Sequence, residues 1–291
     1  MNFKESISLA EERDIALGHF NFSDIAGLNA IIRAAKDSGV PIILGLSEGE
    51  SKFVGIKRAV AIVKSAREEF SHTIFLNADH FHSLESAKEA AEAGFDSILF
   101  DGTKLPLEEN MKITKEIVSV AKSINSDILI EAEIGYIGTS SEVRDGIPEG
   151  AAINEADLTK PSEAEEFVKE TGIDLFGPAV GNVHGMMANG FDPDLNIGRI
   201  KEIAKAIPQT TLVLHGGSGN KDEDFVNAIK AGIRIIHINT EIRLAWRKAL
   251  ETNLTDNPNE VAPYKLFNAS EQAVYEVVFR RLKLFTSNAK I

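Results

Sequence analysis

Short runs rich in apolar and β-branched residues recur along the whole chain, and an amphipathic stretch with helical spacing follows each of them. The runs predict strands over residues 14–21, 41–47, 73–79, 97–102, 128–134, 175–181, 211–217 and 234–240. Runs that stay apolar throughout suit strands buried on both faces, as in a parallel sheet. The helical spacing predicts helices over 24–36, 53–70, 84–93, 107–123, 163–170, 195–206, 222–231 and 241–252. Ser23 is the expected N-cap of the first and Gly39 its terminator; Ser83 and Gly94 play the same parts around 84–93. A last amphipathic helix over 271–285 follows the eighth unit.

Strands separated by helices imply right-handed βαβ units. Eight of them in this length predict an α/β fold, a (β/α)8 TIM barrel with an additional C-terminal helix, with residues 1–291 forming a single domain. An open doubly wound sheet is the competing arrangement, but no Gly-rich dinucleotide fingerprint follows the first strand. The longest connection without periodicity, 135–160, follows the fifth strand and is rich in Gly, Ser and acidic residues. Loops of that length are usually functional or mobile.

Composition narrows the chemistry. A hydrophobic content of 43% and a charged content of 26% are ordinary for a soluble globular protein. The formal net charge of -13 argues against nucleic acid or an anionic membrane as partner, since both need a basic face. An anionic small substrate needs only local positive potential. The chain has no Cys, so disulfides, thiolate ligands and a cysteine nucleophile are all excluded. The charged N-terminus lacks the apolar core of a signal peptide, and no apolar run approaches the ~18 residues of a membrane span. The expected location is the cytoplasm.

In such barrels the site lies where the strands end. Those ends carry Asn21, Ser47, Asp79 with His80, Asp101, Glu131 and Glu133, His184, His215 and Asn239 with Thr240. Six of the seven histidines (His19, His80, His82, His184, His215 and His237) fall in or just after the C-terminal halves of predicted strands; only His72 sits at a strand start. A single histidine there is more often a hydrogen-bonded core or loop residue. Several on one rim, without Cys, point to zinc or another divalent ion, because three imidazoles leave a coordination position open for substrate. Asp101, Glu131 and Glu133 could orient ligands or hold a second ion. Glu131 and Glu133 alternate on one strand and so share a face. The segment LHGGSGN over 214–220 brings Gly216, Gly217, Ser218 and Gly219 to a strand end ahead of a helix, as expected of a phosphate site. Asn239 and Thr240 open the next helix in the same way. None of the predicted strands contains a Lys, which disfavours Schiff-base chemistry. Lys104 is the nearest candidate and reads as a solvated charge.

The chain resembles the class II fructose-bisphosphate and tagatose-bisphosphate aldolases over nearly its whole length. The resemblance rests on FN at 20–21, SEG at 47–49, ADH at 78–80, DG at 101–102, EAEIGYIG at 131–138, the stretch ending GPAVGNVHG at 185, LHGGSG, INTE at 238–241 and LFTSNAK at 284–290. It implies zinc on His80, His184 and His215, with Asp101 and Glu133 holding the metal in an alternative position. Asp79 would protonate the aldehyde oxygen, and Glu142 is the nearest candidate for the loop glutamate that removes the carbon proton. Gly181, Gly185, the 217–219 segment, Asn239 and Thr240 would surround the phosphate and a monovalent cation (Na+ or K+). Asn21 and Ser47 would lie near the substrate, and Arg280 would match an arginine offered by a neighbouring subunit. The activity implied is reversible aldol cleavage of a ketose phosphate, such as fructose 1,6-bisphosphate, to dihydroxyacetone phosphate and an aldehyde through a metal-stabilised enediolate. A place in glycolysis or related carbohydrate metabolism and a homodimer or homotetramer are also implied.

Two positions depart from the family pattern. Ala188 and Asn189 stand where a phosphate-binding Lys is usual, and His237 stands where Asn is usual. Both touch substrate recognition, and they suggest a different, less phosphorylated ketone donor. Lys221 could instead supply the missing charge, and His237 could be a structural strand residue. The rival readings are a metal-dependent hydrolase on the same barrel, against which the first strand lacks an HxH pair, and a relative that has lost catalysis.

Overall fold

The structure, a computed structural model, describes residues 1–139, 141–188 and 192–287. Its strands are β1 (Leu17–Asn21), β2 (Ile42–Ser47), β3 (Ile74–Phe81), β4 (Ser97–Phe100), β5 (Leu129–Ile134), β6 (Val143–Arg144), β7 (Leu175–Pro178), β8 (Met186–Met187), β9 (Thr211–Leu214) and β10 (Ile233–Ile238). Eight of these close into a parallel barrel in the order β1-β10-β9-β7-β5-β4-β3-β2. The expected barrel is therefore present. β6 and β8 form a separate two-stranded sheet that ties the long loop after β5 to the loop after β7.

The helices are α1 (Phe3–Glu12), α2 (Ile25–Ser38), α3 (Glu48–Val54), α4 (Ile56–Phe70), α5 (Leu84–Ala93), α6 (Leu107–Ile124), α7 (Pro161–Thr171), α8 (Ile197–Ala206), α9 (Asp222–Ala231), α10 (Thr240–Asp256), α11 (Pro263–Leu266) and α12 (Asn268–Phe285). Three details correct the sequence reading. The N-cap of α2 is Asp24, not Ser23: its carboxylate accepts from the Gly27 amide at 3.0 Å. The helix expected over 53–70 is two helices, because Gly55 adopts a φ of 90° that breaks the ladder. β4, β7, β9 and β10 also end sooner than read, so Gly102, Gly181, Gly217, Asn239 and Thr240 belong to the loops and helix starts above them, while β3 runs on to Phe81.

A capped helix precedes the first unit: Asn2 and Glu5 form a capping box at the start of α1. Its Phe3, Ile7 and Ala10 close the bottom of the barrel, where Phe3 stacks on Phe75 at 4.3 Å. The strands add Leu17, Ile43, Leu129, Leu175, Val213 and Ile235 to the same apolar layer. Side chains two residues on share the face, and there the chemistry changes: Leu17 gives way to His19 and Asn21, Leu129 to Glu131 and Glu133, Val213 to His215, and Ile235 to His237. The barrel is oily below and polar above, and its polar end is the C-terminal end of the strands.

Candidate metal centre and substrate cleft

His80 sits near the end of β3 with a left-handed φ of 52°, where pairing with β4 shifts between Ala78 and Phe81. Regular alternation would send Asp79 and His80 to opposite faces; with this irregularity both reach the barrel mouth. His184 comes from the loop after β7, pinned by its amide to the Ile137 carbonyl at 2.8 Å. His215 follows β9, and Asn182 Nδ2 donates to its carbonyl at 3.0 Å. The ring centroids of His80 lie 4.7 Å from His184 and 5.0 Å from His215, and the latter two are 6.2 Å apart. One ligand atom from each imidazole and one from Glu133 lie within 4.8 Å of one another.

The surroundings suit a divalent cation. Glu131 Oε1 lies 2.6 Å from His215 Nε2, which leaves the buried Nδ1 of His215 without a partner. His80 Nδ1 lies 3.1 Å from Asp101 and 3.3 Å from Glu133, which leaves its Nε2 toward the site. A carboxylate on one ring nitrogen fixes the imidazole for metal on the other. Four carboxylates (Asp79, Asp101, Glu131 and Glu133), with side chains at most 6% exposed, crowd the three rings, an excess of negative charge that a cation would balance. The proton affinities of the cluster follow from these neighbours. Burial resists charge on His80, yet Asp79 and Glu133 lift it well above the ordinary histidine range. Burial likewise resists charge on His215, which Glu133 and Glu131 lift. Burial and the cationic neighbours His80 and His215 hold His184 well below that range. Burial also opposes ionisation of Asp101, but its bonds to His80 and Thr103 hold the carboxyl below its usual range.

Asp79 is the hinge between this cluster and the cleft. Its Oδ2 accepts from Asn21 Nδ2 at 2.8 Å, while Oδ1 faces His237 Nδ1 at 3.4 Å and His80 Nε2 at 3.8 Å. Burial opposes its charge, but these imidazoles outweigh that and keep the carboxyl well below the usual carboxylate range. His237 is buried, stacks on His19 and lines the inner cavity together with Asn21 and Gly216. Toward solvent this opens into a cleft of about 290 Å³ whose walls include Ser47, Thr139, Ser141 and Arg243.

The glycine loop corrects one expectation in part. The amides of Gly217 and Gly219 already donate to His237 O and Glu241 Oε1, and α9 begins only at Asp222. The helix start that meets the cavity is that of α10, through Asn239 and Thr240. Ser218 Oγ braces this junction by accepting from the Asn239 and Glu241 amides at 3.3 Å each. Gly216 and Gly185 have φ of 60° and 89° and line the cavity; a Cβ on Gly216 would sit 2.4 Å from the Val183 carbonyl.

Other candidates lie apart. The side chain of Glu142 is exposed and outside both cavity walls, and its carbonyl accepts from Met186; the neighbouring Ser141 lines the cavity instead. Gly181 packs against the Asp194 backbone outside the cavity walls. Lys221 bonds Asp194 at 2.7 Å on the surface, and Arg280 lies 3.6 Å from Glu241. Lys104 and Ala188 are exposed, and Asn189 lies outside the described residues. Sequence reasoning missed Ser141, Glu50 and Arg243. The last two are ordinary helix residues by pattern, and only their approach across the barrel mouth at 2.5 Å sets them apart.

A family model described as "Fructose-bisphosphate aldolase class-II" matches residues 1–290. A probable fructose-bisphosphate aldolase of Bacillus subtilis is 34% identical over 99% of this chain and 98% of its own. A 6-phospho-5-dehydro-2-deoxy-D-gluconate aldolase of Bacillus licheniformis is 34% identical over 100% of this chain and 96% of its own. The crystal structure of a putative fructose-1,6-bisphosphate aldolase from Coccidioides immitis superposes with a TM-score of 0.85 at 28% identity, covering 99% of this chain and 97% of that one.

Proposed function

The chain belongs to the class II fructose-bisphosphate aldolase family, whose members are metal-dependent lyases acting on phosphorylated sugars, and on that premise we propose that it reversibly cleaves a ketose phosphate to dihydroxyacetone phosphate and an aldehyde, with fructose 1,6-bisphosphate as the reference substrate. The observation that carries this reading is the convergence of His80, His184 and His215 beside Asp79 at the polar end of the barrel.

His80, His184 and His215 would hold the ion, zinc by preference for an all-imidazole set, and Asp101 and Glu133 offer an alternative seat. When bound, the ion supplies Lewis acidity to the substrate's oxygens. In cleavage Asp79 takes the proton of the C4 hydroxyl as the C3–C4 bond breaks; in condensation it returns that proton to the aldehyde oxygen. Asn21 and His237 hold its carboxylate in place for both. Glu142 is assigned the proton on the donor carbon, supported by its adjacency in sequence to Ser141, which lines the cavity, on a loop where its own side chain faces solvent. Gly185, Gly216, Ser218, Asn239 and Thr240 would receive the donor phosphate, with Gly217 and Gly219 shaping the loop behind them and Gly181 and a monovalent cation nearby, while Asn21, Ser47 and His237 face the sugar. We read residues 1–291 as one domain acting in the cytoplasm as a homodimer or homotetramer.

The test is cleavage of fructose 1,6-bisphosphate and tagatose 1,6-bisphosphate with chelator and with added zinc. Chelator-sensitive cleavage restored by zinc is expected. Metal uptake without carbon–carbon cleavage of any ketose would overturn the reading. A second reading, a less phosphorylated donor, is favoured by the buried His237 on the cavity wall. Condensation rates with dihydroxyacetone and its phosphate separate the two.

A further inference from the structure

We infer that Glu50 makes the outer end of the cleft electrically neutral, so that the site takes a ketose phosphorylated at the donor end alone and receives a hydroxylated, uncharged aldehyde half. The inference rests on the proposed function for which half of the sugar lies outermost.

Arg243 stands in the first turn of α10, one turn beyond Asn239 and Thr240, and its side chain is 43% exposed at the cleft. A cation in the first turn opposes the helix dipole, so its place there calls for a carboxylate partner. In a free state it would be the natural seat for a second phosphate, since guanidinium forks onto phosphate oxygens. Here its charge is already offset: Glu50 Oε1 lies 2.5 Å from its Nη2. Glu50 cannot swing aside cheaply. Its other oxygen accepts from the Ser47 amide at 2.8 Å and from Asn21 Nδ2 at 2.9 Å, and its side chain is 9% exposed. Asn21 in turn holds Asp79. Lys52, the other Lys or Arg of the cleft wall, lies 3.9 Å from Glu48 on an exposed side chain. Each Lys and Arg of the cleft wall thus stands beside a carboxylate, and Asp101 is matched by His80 rather than by a Lys or Arg among the described residues. The carboxylate accepts from hydroxyl groups and the guanidinium beside it donates to them, whereas a phosphate dianion there would face Glu50 at close range.

The test measures binding, not turnover, with non-cleavable sugar alcohols on the metal-loaded protein by calorimetry: hexitol 1-phosphate, hexitol 1,6-bisphosphate and 6-phosphogluconate, whose far end is a carboxylate. The wild type is expected to bind the monophosphate at least tenfold more tightly than either dianionic-ended or carboxylate-ended ligand. Glu50→Gln keeps an acceptor for Ser47 and Asn21 but frees Arg243, and should shift the bisphosphate-to-monophosphate ratio at least tenfold toward the bisphosphate. Arg243→Met should cancel that shift in the Glu50→Gln background. Because the readout is a ratio within one protein, general loss of affinity drops out. Tighter binding of the bisphosphate by wild type, an unchanged ratio in Glu50→Gln, or no binding of any of the three would overturn the inference. Normal cleavage of any ketose phosphate with such a result would leave the aldolase reading standing; correct ratios with no cleavage of any ketose would sink only that reading.

Discussion

The imidazoles of His19 and His237 lie face to face inside the barrel, 3.5 Å between centroids and 7° from parallel, on residues paired across β1 and β10. Two cationic rings could not share that spacing in a buried site. Burial holds His237 well below its ordinary range and His19 at about 4, although Asp79 pulls both the other way. Parallel rings cannot both direct a nitrogen lone pair at one ion between them, so the stack supports Asp79 rather than adding a ligand set.

A pH signature follows from the depressed His19 value. Well above pH 6.5 neither the folded nor the unfolded imidazole is charged. As pH falls from 6.5 toward 4, the unfolded chain takes up a proton that the native state refuses, so stability is lost across that window. The loss from this residue is about 3 kcal/mol in all. Urea unfolding of chelator-treated protein at several pH values should show it, and His19→Gln should flatten the curve by that amount.

Gly45 lies beside the same stack. A Cβ there would stand 2.2 Å from His19 Cε1 and 3.0 Å from Asn21 Oδ1. Neither neighbour can yield, since one is stacked and the other holds Asp79. Gly45→Ala is expected to destabilise the protein by about 1–3 kcal/mol and to depress activity more than the loss of folded protein explains. Urea midpoints and active-site titration would separate the two effects, and a silent substitution would show that the stack can shift.

Glu131 bonds His215 but does not itself need to touch the ion. Glu131→Gln should weaken zinc binding about 10- to 100-fold, measured by competition with a chromophoric chelator. Retained affinity would mean that His215 is oriented by packing and by Asn182 alone.

Asp79→Asn should leave zinc content unchanged and lower kcat by about 10²–10⁴-fold. Loss of zinc in this variant would instead place Asp79 among the ligands.

Arg281 of α12 is buried against Glu241, with Nη2 at 2.5 Å and Nε at 3.0 Å, and it also bonds Asp222. Glu241 in turn accepts from Gly219. The last helix thereby clamps the glycine loop. Removing one partner of a buried pair leaves the other charge uncompensated, so Arg281→Met should cost about 3–5 kcal/mol, visible as a lowered thermal midpoint. An unchanged midpoint would assign the loop's position to backbone bonds alone.

The sequence by itself determined the barrel, because apolar runs alternating with amphipathic stretches leave a parallel sheet wrapped by helices as the way to bury both. It also determined the shortlist at the rim: period-two alternation carries Glu131 and Glu133, and Leu17 through His19 to Asn21, onto one interior face. What pattern cannot carry is distance across the mouth. The irregular pairing at His80 and the committed amides of Gly217 and Gly219 are settled by contacts between segments distant in sequence. The pairing of Glu50 with Arg243 is of the same kind, since 193 residues separate two side chains that each look like an ordinary solvated helix charge. Chain periodicity reports which face a residue shares; only closure of the barrel decides which charges meet there and neutralise each other.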